Sequence, residues 1–199
     1  DFYDIFPLDE GRWGMVIGDV ADKGTAAALY MAVIHSLILS GALRLGSPAA
    51  ALIEVNQTIL RQFISGMFVT AFLAVLDPKK QTLQYANAGH NPPLVRRVSG
   101  TIESLTRTGS VIGVLEDVQL SEATITVGRG DAVVLYTDGV TEAGNARVGD
   151  YGINRLTAAI TAAPRKAGEL LAHVEADLNA FTEGAPQQDD VTFLVLTRD

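Results

Sequence analysis

Three apolar runs in this chain abut an aspartate, and that placement limits the folds open to it. Asp19 closes the run Met-Val-Ile-Gly, Asp138 follows Val-Val-Leu-Tyr-Thr, and Asp189-Asp190 precede Val-Thr-Phe-Leu-Val-Leu. Asp1 and Asp4 sit on a further strand-like stretch at the start. Short apolar runs of this kind read as buried strands. A carboxylate beside such a run is costly to bury alone and needs a partner, water or a cation. No Lys or Arg adjoins Asp138 or Asp189 in sequence, whereas Lys23 lies close to Asp19. If these strands are neighbours, several carboxylates converge and their repulsion raises some pKa values unless cations enter. Mg²⁺ and Mn²⁺, which prefer carboxylate and water oxygens, suit such a cluster. A lone Asp-Gly is more often a turn, and Asp22, Asp77 and Asp150 are read as turns only.

Composition narrows the chemistry. The 199 residues contain no cysteine, so a thiol nucleophile, a thiolate metal site and a disulfide scaffold are excluded. The three histidines, His35, His90 and His173, have no metal-ligand spacing, so any bound metal must rest on oxygen. A net charge of -8 argues against a nucleic-acid partner. At 48% apolar, the chain can bury a sizeable core. It begins Asp1-Phe2-Tyr3-Asp4, with no initiator Met and no basic-then-apolar leader, and reads as a piece of a longer, multidomain protein.

Residues 2–20 read as two strands joined at Asp9-Glu10-Gly11. The uncharged stretch Thr25 to Leu43 is long enough to cross a bilayer. His35, Ser36 and Ser40 crowd one of its faces and no second span follows, so it is read as a helix buried in a core. Ser47-Pro48 marks the start of a second helix, with Leu52, Val55, Ile59 and Phe63 at helical spacing. Strands follow at Phe68–Leu76, Leu83–Ala88, Leu94–Val98 and Thr101–Leu105, then Val118–Val127 and Asp131–Tyr136. The chain after Asp138-Gly139 is mixed and helical, Ala167–Phe181 is an amphipathic helix, and Val191–Leu196 is a final strand. With no linker or repeat, one domain over residues 1–199 is expected. Hairpin-paired strands favour an α+β fold of antiparallel sheets covered by helices.

The ordered set Asp-Phe-Tyr-Asp (1–4), Gly-Asp-Val-Ala-Asp-Lys-Gly (18–24), Met-Phe-Val-Thr (67–70), Ala-Gly-His-Asn-Pro-Pro (88–93), Tyr-Thr-Asp-Gly-Val-Thr-Glu (136–142) and Gln-Asp-Asp-Val-Thr (188–192) resembles the metal-dependent serine/threonine phosphatases of the protein phosphatase 2C type, and more narrowly their bacterial SpoIIE/RsbU branch. The resemblance covers essentially the whole chain. It implies an αββα sandwich of two antiparallel sheets flanked by helices, with two Mn²⁺ or Mg²⁺ ions at one edge. By motif, Asp19 would bridge both metals with the Val20 carbonyl as a further ligand, and Asp138 and Asp189 would bind one of them. Asp1 occupies the position of the acid in the family's Gly-Gly-Asp, whose glycines are missing here. Asp4 and Asp190 are nearby acids that act through water or hold a loop. Two such metals generate hydroxide from a bridging water for in-line attack on phosphorus, without a nucleophilic side chain. The general acid stays open between metal-bound water, Lys23 and no specialised group, because Ala21 stands where animal relatives carry a histidine just after the bridging acid.

The expected function is hydrolysis of phosphoserine or phosphothreonine on a bacterial regulatory protein, such as an anti-sigma-factor antagonist. An N-terminal sensor or receiver domain in the full-length chain, a cytoplasmic location, no nucleic acid, no membrane span and scope for a homodimer complete the expectation. The two helices at Thr25–Leu45 and Pro48–Ser65 are read as a switch whose packing moves Asp19. The alternative is a catalytically silent phosphatase-like binding module; another two-metal phosphoesterase, such as a nuclease, is disfavoured by the acidic charge. Among the remaining polar residues, His90 is read as a loop anchor in preference to a substrate or acid role near the site, Thr70 and Asn87 as strand or turn groups, and His35 and His173 as a helix and a surface histidine. Glu142 is read as a helix-start acid, with metal ligation the lesser alternative, and Lys79-Lys80 and Arg96-Arg97 as solvated hairpin charges.

Overall fold

The computed structural model describes residues 1–62, 66–145 and 147–198. In chain order the elements are β1 (Phe2–Pro7), β2 (Trp13–Val20), α1 (Thr25–Leu45), α2 (Pro48–Gln62), β3 (Val69–Asp77), β4 (Thr82–Ala88), β5 (Leu94–Arg96), β6 (Ile102–Ser104), β7 (Ala123–Thr126), β8 (Ala132–Tyr136), α3 (Asp138–Thr141), β9 (Gly144–Asn145), β10 (Gly149–Asp150), α4 (Gly152–Ala162), α5 (Ala167–Thr182) and β11 (Phe193–Thr197). Phe63, expected to extend the apolar stripe of the second helix, lies outside the described residues, as does the end of that helix at Ser65. The chain forms two compact units: residues 1–90 with 106–126, and residues 91–105 with the chain from Val127 onward.

In the first unit, five antiparallel strands run in the order β1-β2-β3-β4-β7. Alternation sends Val16 and Val20 of β2, Ala71 and Leu73 of β3, and Ala86 and Ala88 of β4 to one face, where they pack with α1 and α2. α1 contributes the stripe Ala27, Tyr30, Ile34, Ile38 and Ala42, at the spacing of one helical face. This helix is long and apolar enough to cross a membrane by length and composition, yet Ile34 and Ile38 are fully buried in the core. Each such side chain contributes about 1.5–3 kcal/mol by leaving water. Ser47 caps α2 as its position before Pro48 predicts, its Oγ accepting the Ala50 N–H at 3.1 Å. A second cap comes from far along the chain: the Glu122 carboxylate accepts from Ala49 N–H and Ser47 Oγ.

That cap explains one departure from the sequence reading. The expected strand Val118–Val127 pairs regularly only over Ala123–Thr126. Upstream of it, Leu120 bridges to Gly109 and Glu122 turns to the α2 start instead.

In the second unit the sheet order is β11-β8-β5-β6, again antiparallel, and β9 and β10 form a small separate ribbon. Val134, Tyr136, Leu156, Ile160, Leu170, Val174, Leu178 and Phe181 build its core against α4 and α5. Arg96 of β5 and Arg97 just after it are not solvated. Arg96 is 5% exposed and donates to the carbonyls of Ile160, Ala163 and Pro164 at 2.7–2.9 Å, closing the C-terminal end of α4. Arg97 bridges Glu103 and the buried Asp131. The physical reason is alternation: Leu94 and Arg96 share the inward face of one strand. Among the described residues the molecule is thus α+β, with two antiparallel sheets and five helices.

Candidate functional site

In the first unit the acids of interest lie at one end of β1 and β2. Phe2 pairs with Gly18, so Asp1 stands beside Asp19, with its amino nitrogen 3.8 Å from Asp19 Oδ1. Only glycine fits at position 18, because a Cβ there would lie 2.4 Å from the Phe2 ring and 2.7 Å from the Thr70 carbonyl oxygen. Close strand approach therefore sets Asp19 directly opposite Thr70 of β3. The Val20 carbonyl accepts the Asp22 N–H at 2.7 Å in a tight turn, and Ala21 N–H bonds the Phe68 carbonyl. Asp4 does not join this group. Its register partner is Val16, on the α1 side of the sheet, and its Oδ2 lies 3.1 Å from His35 Nε2. His35 is thus a satisfied helix histidine, and His173 is exposed.

In the second unit the turn after β8 rests on the segment before β11. A Cβ on Gly139 would lie 1.9 Å from the Asp190 carbonyl oxygen. Thr137 N–H bonds the Thr192 carbonyl, and Thr192 N–H returns to Thr137 Oγ1, both at 3.2 Å. Asp138 and Asp189 are thereby brought together although some fifty residues separate them in sequence. Asp190 N–H donates to Asp189 Oδ1 at 2.9 Å, while Gln187 holds the Asp189 carbonyl. The Asp190 backbone thus helps to hold the loop.

Glu142 completes the group. Partial burial, and then the charges of Asp138, Asp150 and Asp189, push its carboxyl above the usual range. The sequence reading held a metal-site role for Glu142 only as its lesser alternative. Glu142 ends α3 rather than starting a helix, and Asp150 is more than a turn residue. The available signal was spacing, since Glu142 follows Asp138 by four residues, one helical turn.

Among the described residues, no three His, Cys, Asp or Glu side chains close round a single metal position. The donor chemistry nonetheless fits a hard divalent cation. The set is all oxygen, and the charges shifting Glu142 are all carboxylates. Carboxylates crowded in this way repel one another until a cation enters.

Comparison with known proteins places the chain in a family. A family model described as Stage II sporulation protein E matches residues 9–199. Protein IcfG of Synechocystis sp. is 29% identical over 228 residues, covering 100% of this chain and 36% of IcfG. Phosphoserine phosphatase RsbU of Bacillus subtilis is 32% identical over 143 residues, covering 71% of this chain and 42% of RsbU. The chain thus spans well under half the length of these relatives. The SiaA-PP2C domain of Pseudomonas aeruginosa superposes with a TM-score of 0.85 at 22% identity, covering 100% of this chain and 79% of that one. With nearly its full length accounted for by the family model, and the fold shared with a PP2C domain, this chain belongs to the SpoIIE family.

Proposed function

We propose that the chain is one catalytic domain, a metal-dependent protein serine/threonine phosphatase hydrolysing phosphoserine or phosphothreonine on a bacterial regulatory protein. One observation carries the reading: Asp138-Gly139 packed onto Asp189-Asp190, with the Glu142 carboxyl raised by desolvation and then by the charges of Asp138, Asp150 and Asp189. Packing that forces carboxylates together is destabilising unless they are used. Asp138 and Asp189 of one unit, and Asp1, Asp19 and the Val20 carbonyl of the other, are the groups that would hold two Mn²⁺ or Mg²⁺ ions. When bound, such ions neutralise phosphoryl oxygens and lower the pKa of a water for in-line attack.

The chain's own contribution is to position and exclude. Gln187 and the Thr137–Thr192 bonds hold the Asp189 loop, and the Gly18 contact fixes the strand ends carrying Asp1 and Asp19. Hydrolysis breaks the P–O bond to the serine or threonine oxygen, which leaves with a proton. Lys23 is the nearest cationic side chain in sequence to Asp19 for that role. With no cysteine in the chain, no thiol competes as a nucleophile. RsbU and RsbP are named phosphoserine phosphatases. The substrate assigned here is accordingly a small phosphorylated regulator such as an anti-sigma-factor antagonist, met in the cytoplasm. An attached sensor or receiver domain and self-association through a homodimer belong to the same proposal.

The test is turnover of p-nitrophenyl phosphate and of a phosphoserine protein with Mn²⁺, comparing the chain with Asp19→Ala and Asp138→Ala. Turnover lost in both variants supports the enzyme. A folded, Mn²⁺-supplied chain with no turnover on either substrate assigns it to a silent binding module instead.

A further inference from the structure

We propose that Thr70 and His90 act as positioning residues that orient the Asp19 carboxylate through a hydrogen-bond relay, an inference resting on the reading of Asp19 as a metal ligand. His90 is 2% exposed, and its ring Nδ1 lies 3.0 Å from Thr70 Oγ1. Thr70 stands directly opposite Asp19 in the β2–β3 register. Opposed residues on antiparallel strands point to the same face, with Cβ atoms about 4.5–5.5 Å apart. That face is the one turned away from α1 and α2, since Thr70 alternates with Ala71 and Leu73, which pack against those helices.

The loop carrying the imidazole is shaped for this contact. Gly89 has φ +75° and pairs with Ala71, the neighbour of Thr70. A Cβ on Gly89 would lie 2.5 Å from Val111 Cγ1, so no larger residue swings the ring into this position. A buried imidazole is expensive where an apolar side chain would fill the space, and here its ring nitrogen is spent on a hydroxyl beside Asp19.

The relay requires one proton arrangement. His90 carries its proton on Nδ1 and donates to Thr70 Oγ1. The Thr70 hydroxyl proton is then directed across the strand pair to the Asp19 carboxylate. Hydrogen bonds standing behind a metal ligand fix its rotamer, and their loss typically weakens metal binding by about 10–100-fold.

Two measurements test this. The first is the ¹⁵N NMR tautomer of His90 in the metal-free protein. A proton on Nδ1 is expected, and a proton on Nε2 alone overturns the relay. The second is the Mn²⁺ dissociation constant, read from the EPR signal of free Mn²⁺, for Thr70→Val, Thr70→Ser, His90→Phe, His90→Asn and Asp19→Ala. Thr70→Val and His90→Phe should weaken binding by about 10–100-fold, while Thr70→Ser and His90→Asn, whose amide imitates the Nδ1 donor, stay within about threefold of the parent. If Asp19→Ala loses Mn²⁺ but Thr70→Val binds like the parent, or if Val and Ser weaken binding equally, the relay is wrong and the metal reading stands. If Asp19→Ala itself binds like the parent, the metal reading falls and takes the relay with it. Should Thr70→Val fail to fold, the tautomer and the His90 pair still decide the matter.

Discussion

Replacing Gly139 by alanine is the sharpest probe of how the Asp138 turn is held. On helix propensity alone, alanine within α3 should stabilise the chain by about 1 kcal/mol. The contact to Asp190 opposes that gain. The added Cβ would sit 1.9 Å from the Asp190 carbonyl oxygen, and real Cβ contacts essentially never fall under 3.0 Å. The two segments must therefore part by roughly 1.1 Å, the difference between those distances. Both are backbone, so no flexible side chain absorbs the strain. Overpacking of this kind costs about 1–3 kcal/mol, leaving a net loss of up to about 2 kcal/mol once propensity is subtracted. For a chain of this size that lowers the thermal midpoint by up to about 8 °C. Differential scanning calorimetry of the metal-free protein measures it. Because displacing a catalytic group by about 1 Å can cost on the order of 10²-fold, turnover should fall by that order. A Gly139→Ala protein as stable as the parent, or more so, with full turnover would refute the packing argument.

Other outcomes follow from the same structure. Arg96→Met keeps the aliphatic stem but leaves the buried Ile160 and Ala163 carbonyls unmet, and should destabilise by about 2–4 kcal/mol in urea titration. Acid stability should depend on Asp131. Burial pushes its carboxyl up, but the N–H groups of Gly128 and Val98 and the Arg97 guanidinium outweigh burial and hold it below the usual range. Its stabilisation is complete above the unfolded pKa near 4 and is lost as pH falls through the lower folded value. Asp131→Asn should therefore flatten the pH–stability curve below about pH 4. Glu142 has the opposite sign. Its raised carboxyl destabilises the metal-free fold above its folded pKa, so Glu142→Gln should raise the metal-free thermal midpoint at neutral pH and lose that advantage in acid.

Much of the fold was legible because local chemistry marks it. The turn at Asp9-Glu10-Gly11, the Ser47-Pro48 cap and the stripe on α1 each specify their own element within a few residues. The long-range pairings were not legible. Nothing near β8 announces that β11 lies beside it, so the meeting of Asp138 and Asp189 was available from motif resemblance rather than from spacing. Register likewise decided that Asp4 belongs to His35 and the helix side while Asp1 belongs with Asp19, since a shift of one residue exchanges the two faces. Arg96 was misread because a cation in a three-residue strand looks solvated until a distant helix end supplies three carbonyls. The link between His90 and Thr70 was hidden for a related reason: they are twenty residues apart, and only pairing across β3 brings them together.

The most direct test is the number of Mn²⁺ ions taken up by the metal-free chain in a calorimetric titration, repeated with Asp19→Ala and Asp138→Ala. Uptake of two ions per chain, impaired by either substitution while the fold persists, is the result predicted. Uptake that neither substitution alters would contradict it.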